Sequence, residues 1–237
     1  VPGALIAAMA AQAAGCSRMV VSRRDSAIAR LVPQLDVVAV DSLAEALQLL
    51  GAKVDLPIIE TGESITIVEP ITSLFDMSQV RGQAAAKFAL EVAAAGSHHL
   101  ALLGSPGVGK TLLAERLPSI MPPLDYASSL EVLAIASATH ARGNVQLSYE
   151  PPFAAPHHTA SYNSIIGGGT SVPTIGHVTR AHRGVLFLDE APEFASNVLD
   201  GLRQPLESGQ VHIGRRAFNL TLPAKFQLIL AANPCPC

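Results

Sequence analysis

The sequence predicts an α/β fold with a doubly wound parallel sheet, and three runs of residues carry that expectation. Residues 98–103, 185–188 and 227–231 are short and apolar, as buried central strands are. Each leads into the kind of residue that such a sheet displays at its carboxyl edge: a glycine-rich turn, then Asp189-Glu190, then Asn233.

Composition sets the frame. A chain of 237 residues that is 49% apolar can hold one large domain or two small ones. Charged residues make up 15% and the net charge is −3, so there is no chain-wide basic field; a nucleic-acid contact has to come from a local patch. The cysteines, Cys16, Cys235 and Cys237, are too few and too unevenly spaced for a disulfide framework, which favours a reducing compartment, by default the cytoplasm. The apolar stretch 3–14 is about a dozen residues and falls short of the roughly 20 that span a bilayer, so no membrane partner is expected. The chain begins at a valine and stops just after a strand-like run, and it reads as a piece of a longer protein.

Along the chain, residues 4–14 form an alanine-rich helix stopped by Gly15, followed by short strands at 19–21 and 37–40. Ser42 with Glu45 opens the next helix as a capping box. Residues 1–51 are thus a small α/β unit. Pro57, Gly62 and Pro70 mark 52–75 as an extended linker, and 76–237 as the main α/β domain. That domain opens with a helix at 83–95, the strand 98–103, and a helix from Lys110 that must end by Pro118. Ser128 with Glu131 reads as a second capping box, on a helix running to about Ala138. Residues 139–175 lack periodicity and hold Pro151, Pro152, Pro156 and the triplet Gly167-Gly168-Gly169, as a long insertion or functional loop does.

The chemistry concentrates at Gly104-Ser105-Pro106-Gly107-Val108-Gly109-Lys110-Thr111, a complete G-x-x-x-x-G-K-T phosphate loop between a strand and a helix. Its glycines let successive N–H groups and the helix N-terminus face the phosphates of ATP, Lys110 reaches the β and γ groups, and Thr111 offers its hydroxyl to Mg²⁺. At the end of 185–188, Asp189 would hold the magnesium through water while Glu190 orients and deprotonates the attacking water. Asn233 would sense the γ-phosphate if its strand lies between the other two. Taken alone, Asp189-Glu190 is an ordinary strand end and Asn233 a turn residue before Pro234; the phosphate loop lends them their roles.

Val80-Arg81-Gly82-Gln83, the His98-His99 strand, Ala155-Pro156-His157-His158-Thr159, the glycine triplet, His182-Arg183-Gly184, Leu202-Arg203-Gln204-Pro205-Leu206-Glu207 and Ala232-Asn233-Pro234-Cys235-Pro236-Cys237 occur in that order. Together they resemble the YifB/ComM family of magnesium-chelatase-like AAA+ ATPases, along essentially the whole chain. The resemblance implies a P-loop AAA+ core over 76–237, truncated before the lid, and a hexameric ring. It implies a ComM-like ATP-driven DNA branch-migration helicase of recombination and natural transformation. It places Val80 and Gln83 against the adenine, makes Asn233 the sensor residue, and makes 1–51 the remnant of a Lon-protease-like α/β domain. Laid on the Lon pattern, the catalytic lysine position falls on Leu5, which argues against peptide hydrolysis. The family's usual arginine finger and second sensor fall past Cys237, so this piece should bind ATP better than it hydrolyses it. Pro151 and Ala154 stand where members usually carry arginines, which removes two anion contacts from that loop.

Other candidates have plainer readings beside the functional one. Residues 211–222 read as a hairpin with Arg215 and Arg216 at its tip, placed to touch phosphates of branched or single-stranded DNA, or else as a solvated turn. Arg180, Arg183 and Arg203 are candidates for reaching a neighbouring subunit's nucleotide, or are surface ion-pair residues. His157 and His158 lack companions at metal-ligand spacing and read as loop residues, while Cys235 and Cys237 could be half of a zinc site. A magnesium-chelatase-type motor subunit, an ATP-dependent protease-related protein and a nucleotide-gated scaffold stay open as alternatives.

Overall fold

The computed structural model describes residues 3–53, 75–139, 147–169, 174–215 and 218–234, with the backbone alone at Arg215 and Phe218. The chain forms two compact units, Val1–Pro70 with Leu133–Leu147, and Ile71–Val132 with Ser148–Cys237.

In the first unit, α1 (Ala4–Ala13) ends as Gly15 enters the left-handed region at φ 77°, open to glycine at little steric cost. Strands β1 (Arg18–Ser22) and β2 (Asp36–Val40) pair in parallel, with Arg18 opposite Asp36 and their side chains 2.6 Å apart. Between them runs α2 (Arg23–Ala29), a helix absent from the sequence reading although its cap was present: Ser22 Oγ accepts the Asp25 N–H at 3.3 Å. Helix α3 (Leu43–Leu49) starts at Ser42, whose Oγ accepts the Glu45 N–H at 3.2 Å; Glu45 Oε2 in turn accepts the Asp41 N–H, one residue earlier than a capping box closes. Leu5, Ala8, Ile28, Ala29 and Val32 are buried, and Leu5 is 1% exposed, a core residue. The linker expected at 52–75 lies almost entirely outside the described residues.

The second unit begins with a 3₁₀ turn, Met77–Gln79, and α4 (Ala84–Gly96). Strand β3 (Leu100–Leu103) runs into the phosphate loop and α5 (Lys110–Glu115). That helix stops before Pro118, which sits in a 3₁₀ turn, Leu117–Ile120. Helix α6 (Tyr126–Thr139), whose residues from Leu133 on count with the first unit, starts earlier than the Ser128–Glu131 pair suggested, because Asp125 Oδ1 accepts the Ser128 N–H at 2.7 Å and caps it; Glu131 is thereby left for other partners. The non-periodic stretch contains β4 (Phe153–Ala154), α7 (Tyr162–Ile165), β5 (Gly167–Gly168), β6 (Thr174–Ile175) and α8 (His177–Arg180). There follow β7 (Val185–Leu188), a 3₁₀ turn at Ala191–Glu193, α9 (Ser196–Gly201), α10 (Arg203–Ser208), the antiparallel hairpin of β8 (Gln210–Arg215) and β9 (Phe218–Pro223), and β10 (Gln227–Ala232).

The main sheet is fully parallel, in the order β3-β10-β7-β4. All four residues of β7 are buried, with Val185 and Phe187 in one cluster and Leu186 and Leu188 in the other, so the strand separates two cores. Each such side chain contributes roughly 1.5–3 kcal/mol. The hairpin root is stitched to the amino end of β7: Arg183 N–H donates to Lys225 O at 2.6 Å, Gln227 N–H to Gly184 O at 2.8 Å, and Lys225 N–H to His182 Nδ1 at 3.0 Å.

Candidate nucleotide-binding site

The strand order puts β10 between β3 and β7, so the three runs singled out in the sequence end side by side at one edge of the sheet. The loop after β3 is anchored to that edge by Gly104 N–H, which donates to Ala232 O at 3.3 Å. Gly107 and Gly109 sit at φ 79° and 89°, the left-handed region that lets the loop turn back so that α5 begins at Lys110.

Lys110 Nζ donates to Gly104 O at 2.7 Å, to Ser105 O at 3.1 Å and to Asn233 Oδ1 at 2.9 Å. These acceptors are neutral, and among the described residues no carboxylate pairs with this ammonium. It is a positive charge in need of an anion. Thr111 Oγ1 donates to Asp189 Oδ2 at 2.6 Å, which brings a hydroxyl and a carboxylate, both hard oxygen ligands, to one point as Mg²⁺ requires. Asp189 is further fixed by the Glu190 N–H at 2.9 Å to its other oxygen. Glu190 itself takes a positive φ of 51°, uncommon for glutamate and costing about 1 kcal/mol or more, which turns the chain sharply at the strand end.

A cavity of about 260 Å³ beside this edge is lined by His158, Glu190, Pro192, Glu193 and Asn233. His158 Nδ1 stands 3.0 Å from Glu190 Oε2. Gln83, left-handed at the start of α4, donates its amide to Val108 O at 2.9 Å and so touches the phosphate loop, while Val80 is 3% exposed and packs in the core on the β3 side. Ser105, Pro106 and Val108 are exposed residues of the loop.

Residues 76–237 match the family model described as magnesium chelatase, subunit ChlI. The chain is 41% identical over 236 residues to the YifB protein of Salmonella typhimurium and 38% identical over 237 residues to the competence protein ComM of Haemophilus influenzae, in each case covering 100% of this chain and 46% of the relative. The chain belongs to the YifB/ComM family of magnesium-chelatase-like proteins. It spans about half the length of these curated relatives, 46%. A chain in a cryo-EM complex of the magnesium chelatase subunits BchI and BchD shares the fold at TM-score 0.52 and 21% identity, over 68% of this chain and 55% of that one. Family membership supports an ATPase of the AAA+ type, the class to which ATP and Mg²⁺ belong.

Within this YifB/ComM chain the remaining candidates separate. Arg183 Nε donates to Glu131 Oε2 at 2.8 Å, and Arg203 pairs with Asp200 at 2.9 Å on the surface, whereas Arg180 is exposed with no ion-pair partner among the described residues. His182 accepts the Lys225 N–H at Nδ1, so its proton sits on Nε2 and is donated to the same Glu131 oxygen at 3.0 Å. Burial lowers the His182 pKa against the opposing pull of Glu131. Burial works against ionised Glu131 too, but the bonds from Arg183 and His182 outweigh it and leave its carboxyl below the ordinary value. His157 Nδ1 pairs with Thr159 Oγ1 at 2.9 Å, and its ring lies against that of His158.

Residues 211–222 do form a hairpin; the Arg215 side chain, all of Arg216, and Cys235 and Cys237 lie outside the described side chains. His158 is a loop residue, as the sequence reads, but its contact with Glu190, like those of Glu131 with His182 and Arg183, closes over a long sequence separation that local patterns do not foresee. Among the described residues no helix is long and apolar enough to cross a membrane.

Proposed function

We propose that this chain is the ATP-hydrolysing core of a ring-forming AAA+ motor that remodels DNA. One observation carries the ATPase reading: Lys110, Thr111, Asp189, Glu190 and Asn233 come from three separated segments and meet at one sheet edge. Lys110 and the loop N–H groups of Ser105 and of Gly107 to Gly109 bind the phosphates, with Val80 and Gln83 bordering the base. Thr111 and Asp189 would hold Mg²⁺, which when bound would neutralise phosphate charge. Glu190 takes the proton of the water that attacks in line with the leaving oxygen, and Asn233, already on the Lys110 ammonium at 2.9 Å, monitors the γ-phosphate.

The DNA reading rests on family kinship with a competence protein and on the hairpin β8–β9, where Arg215 ends β8 and Arg216 follows it in the sequence. Kinship with a magnesium-chelatase subunit at 24% identity, together with the shared fold above, favours a second reading: a motor that drives metal insertion. The full-length protein separates the two. ATP turnover is measured with and without branched DNA, for wild type, Lys110→Ala and Arg215→Ala/Arg216→Ala. Turnover that DNA stimulates, that the double variant no longer couples to DNA and that the lysine variant abolishes supports the DNA motor. Turnover indifferent to DNA sinks the DNA reading and moves the choice to the chelatase type.

A further inference from the structure

A second polar cavity shares no lining residue with the cavity beside Glu190 and Asn233. This cavity, of about 320 Å³, is lined by Ser161, Asn163, Ser164, Thr174, Ile175, His177 and Arg180. Among the described residues no carboxylate lines it. The hydrogens are mostly free to point outward. Ser161 Oγ accepts the Ser164 N–H at 3.3 Å and keeps its own proton to donate, and neither the Asn163 amide nor the Arg180 guanidinium has a recorded partner among the described residues. Thr174 spends its proton on Gly168 O. Burial, and then Arg180, hold the His177 pKa below its ordinary value, so at neutral pH the ring adds a polar edge without a second charge.

One guanidinium ringed by hydroxyl, amide and imidazole groups is the donor set that proteins place on the phosphodiester backbone of nucleic acids. Its location agrees. Gly167 and Gly176, which bracket the β5–β6 pair, pack so closely that a Cβ on Gly167 would lie 3.1 Å from Ile213 Cδ1 of β8, and one on Gly176 2.4 Å from Ile165 O. The β5–β6 pair, which supplies Thr174 and Ile175 to the cavity wall, therefore packs closely on Ile213 of hairpin strand β8, the strand that ends at Arg215. We propose that Arg180, with Ser161, Asn163 and Ser164, binds one backbone phosphate of a nucleic-acid strand that also meets the hairpin. This rests on the DNA reading above and adds to it a contact on a different element.

The test measures binding of a fluorescein-labelled oligo-dT to the full-length protein across a salt series. A single phosphate contact contributes about 0.7 to the slope of log K against log salt for a single strand, which makes it worth about fivefold in affinity at roughly 0.1 M relative to 1 M salt. Arg180→Gln is expected to reduce the slope by about that amount and weaken binding about fivefold at roughly 0.1 M salt. Asn163→Ala is expected to weaken binding about two- to threefold with the slope unchanged. Lys53→Gln, an exposed cation of the first unit, controls for net charge. Binding of a fluorescent ATP analogue, equal in Arg180→Gln and wild type, shows that the nucleotide site is intact. If oligo-dT binds wild type and responds to Arg215→Ala/Arg216→Ala but not to Arg180→Gln, this site is overturned while the DNA reading stands. If Arg180→Gln loses DNA-independent turnover with oligo-dT binding unchanged, the arginine serves a neighbour's nucleotide and the proposal also falls. If wild type hydrolyses ATP but does not bind the strand, both DNA readings fail together.

Discussion

His158 Nδ1 lies 3.0 Å from Glu190 Oε2, and the register of two strands explains why. Ala154 of β4 pairs with Leu186 of β7. His158 follows Ala154 by four residues and Glu190 follows Leu186 by four, so the two segments leave neighbouring strand ends at one edge of the sheet and their side chains meet in the turns beyond it. An imidazole on the carboxylate proposed above to activate water can hold it in a productive rotamer.

His158 should therefore act on turnover and not on nucleotide binding. In the full-length protein, His158→Ala is expected to lower kcat about tenfold with the ATP KM changed less than about twofold, against a loss of about 10²–10⁴ for Glu190→Gln. The double variant should be no slower than Glu190→Gln alone, because the histidine works only through the glutamate. Steady-state kinetics on the three variants decide it; an additive double variant would show that His158 has a separate task.

The same strand marks where sequence reasoning loses sight of the site. Val185–Leu188 and Gln227–Ala232 were legible because a strand buried on both faces writes itself as a continuous apolar run, and the phosphate loop because its glycines answer a backbone demand. Strand β4 is two residues, Phe153–Ala154, between prolines and a histidine pair; nothing local distinguishes it from a loop, and its pairing with Val185 and Leu186 is a long-range event. Asp125 outcompeted Ser128 as a cap for a similar reason. Glu131, needed at N3 of a Ser128 box, was drawn to His182 and Arg183 from the approach to β7. Helix α2 is the opposite case, since Ser22 and Asp25 advertised it locally.

Thr111 and Asp189 are 2.6 Å apart and should serve one ion. Thr111→Val and Asp189→Asn are each expected to raise the Mg²⁺ concentration needed for half-maximal turnover by roughly tenfold or more, and the double variant to fall well short of the sum of their free-energy effects. Magnesium titrations of the ATPase rate test this. Lys110→Ala, in contrast, should weaken binding of the nucleotide itself, read with a fluorescent ATP analogue.

The His182–Glu131–Arg183 cluster predicts acid lability. Burial holds His182 below its ordinary value of 6.5, so as pH falls past about that value the unfolded chain takes up a proton that the folded chain refuses, and stability drops. Glu131, held below its ordinary 4.5, contributes stability present above that value and lost as pH falls through its lower folded value. Both act in the same direction, one after the other. Urea unfolding between about pH 7 and 5 should show stability falling with pH, and His182→Gln should flatten that fall while lowering stability at pH 7; an unchanged slope would remove His182 from the account.

Two glycines separate packing from nucleotide binding. A Cβ on Gly184 would lie 2.0 Å from Pro152 O and 2.7 Å from Pro152 N, at the point where β7 begins beside β4, and backbone there cannot step aside without shifting both strands. Gly184→Ala is expected to cost about 3 kcal/mol or more, the upper end of overpacking penalties, and to lower the melting temperature by several degrees. Gly107 meets nothing within 4 Å, yet sits at φ 79°, so alanine there costs about 1 kcal/mol in backbone strain and little in packing. Its penalty should appear instead in ATP affinity, because the phosphate loop must keep that turn. Melting curves and nucleotide titrations on the two variants should cross over: the first variant losing stability with affinity preserved below its melting point, the second losing affinity with its melting point nearly unchanged.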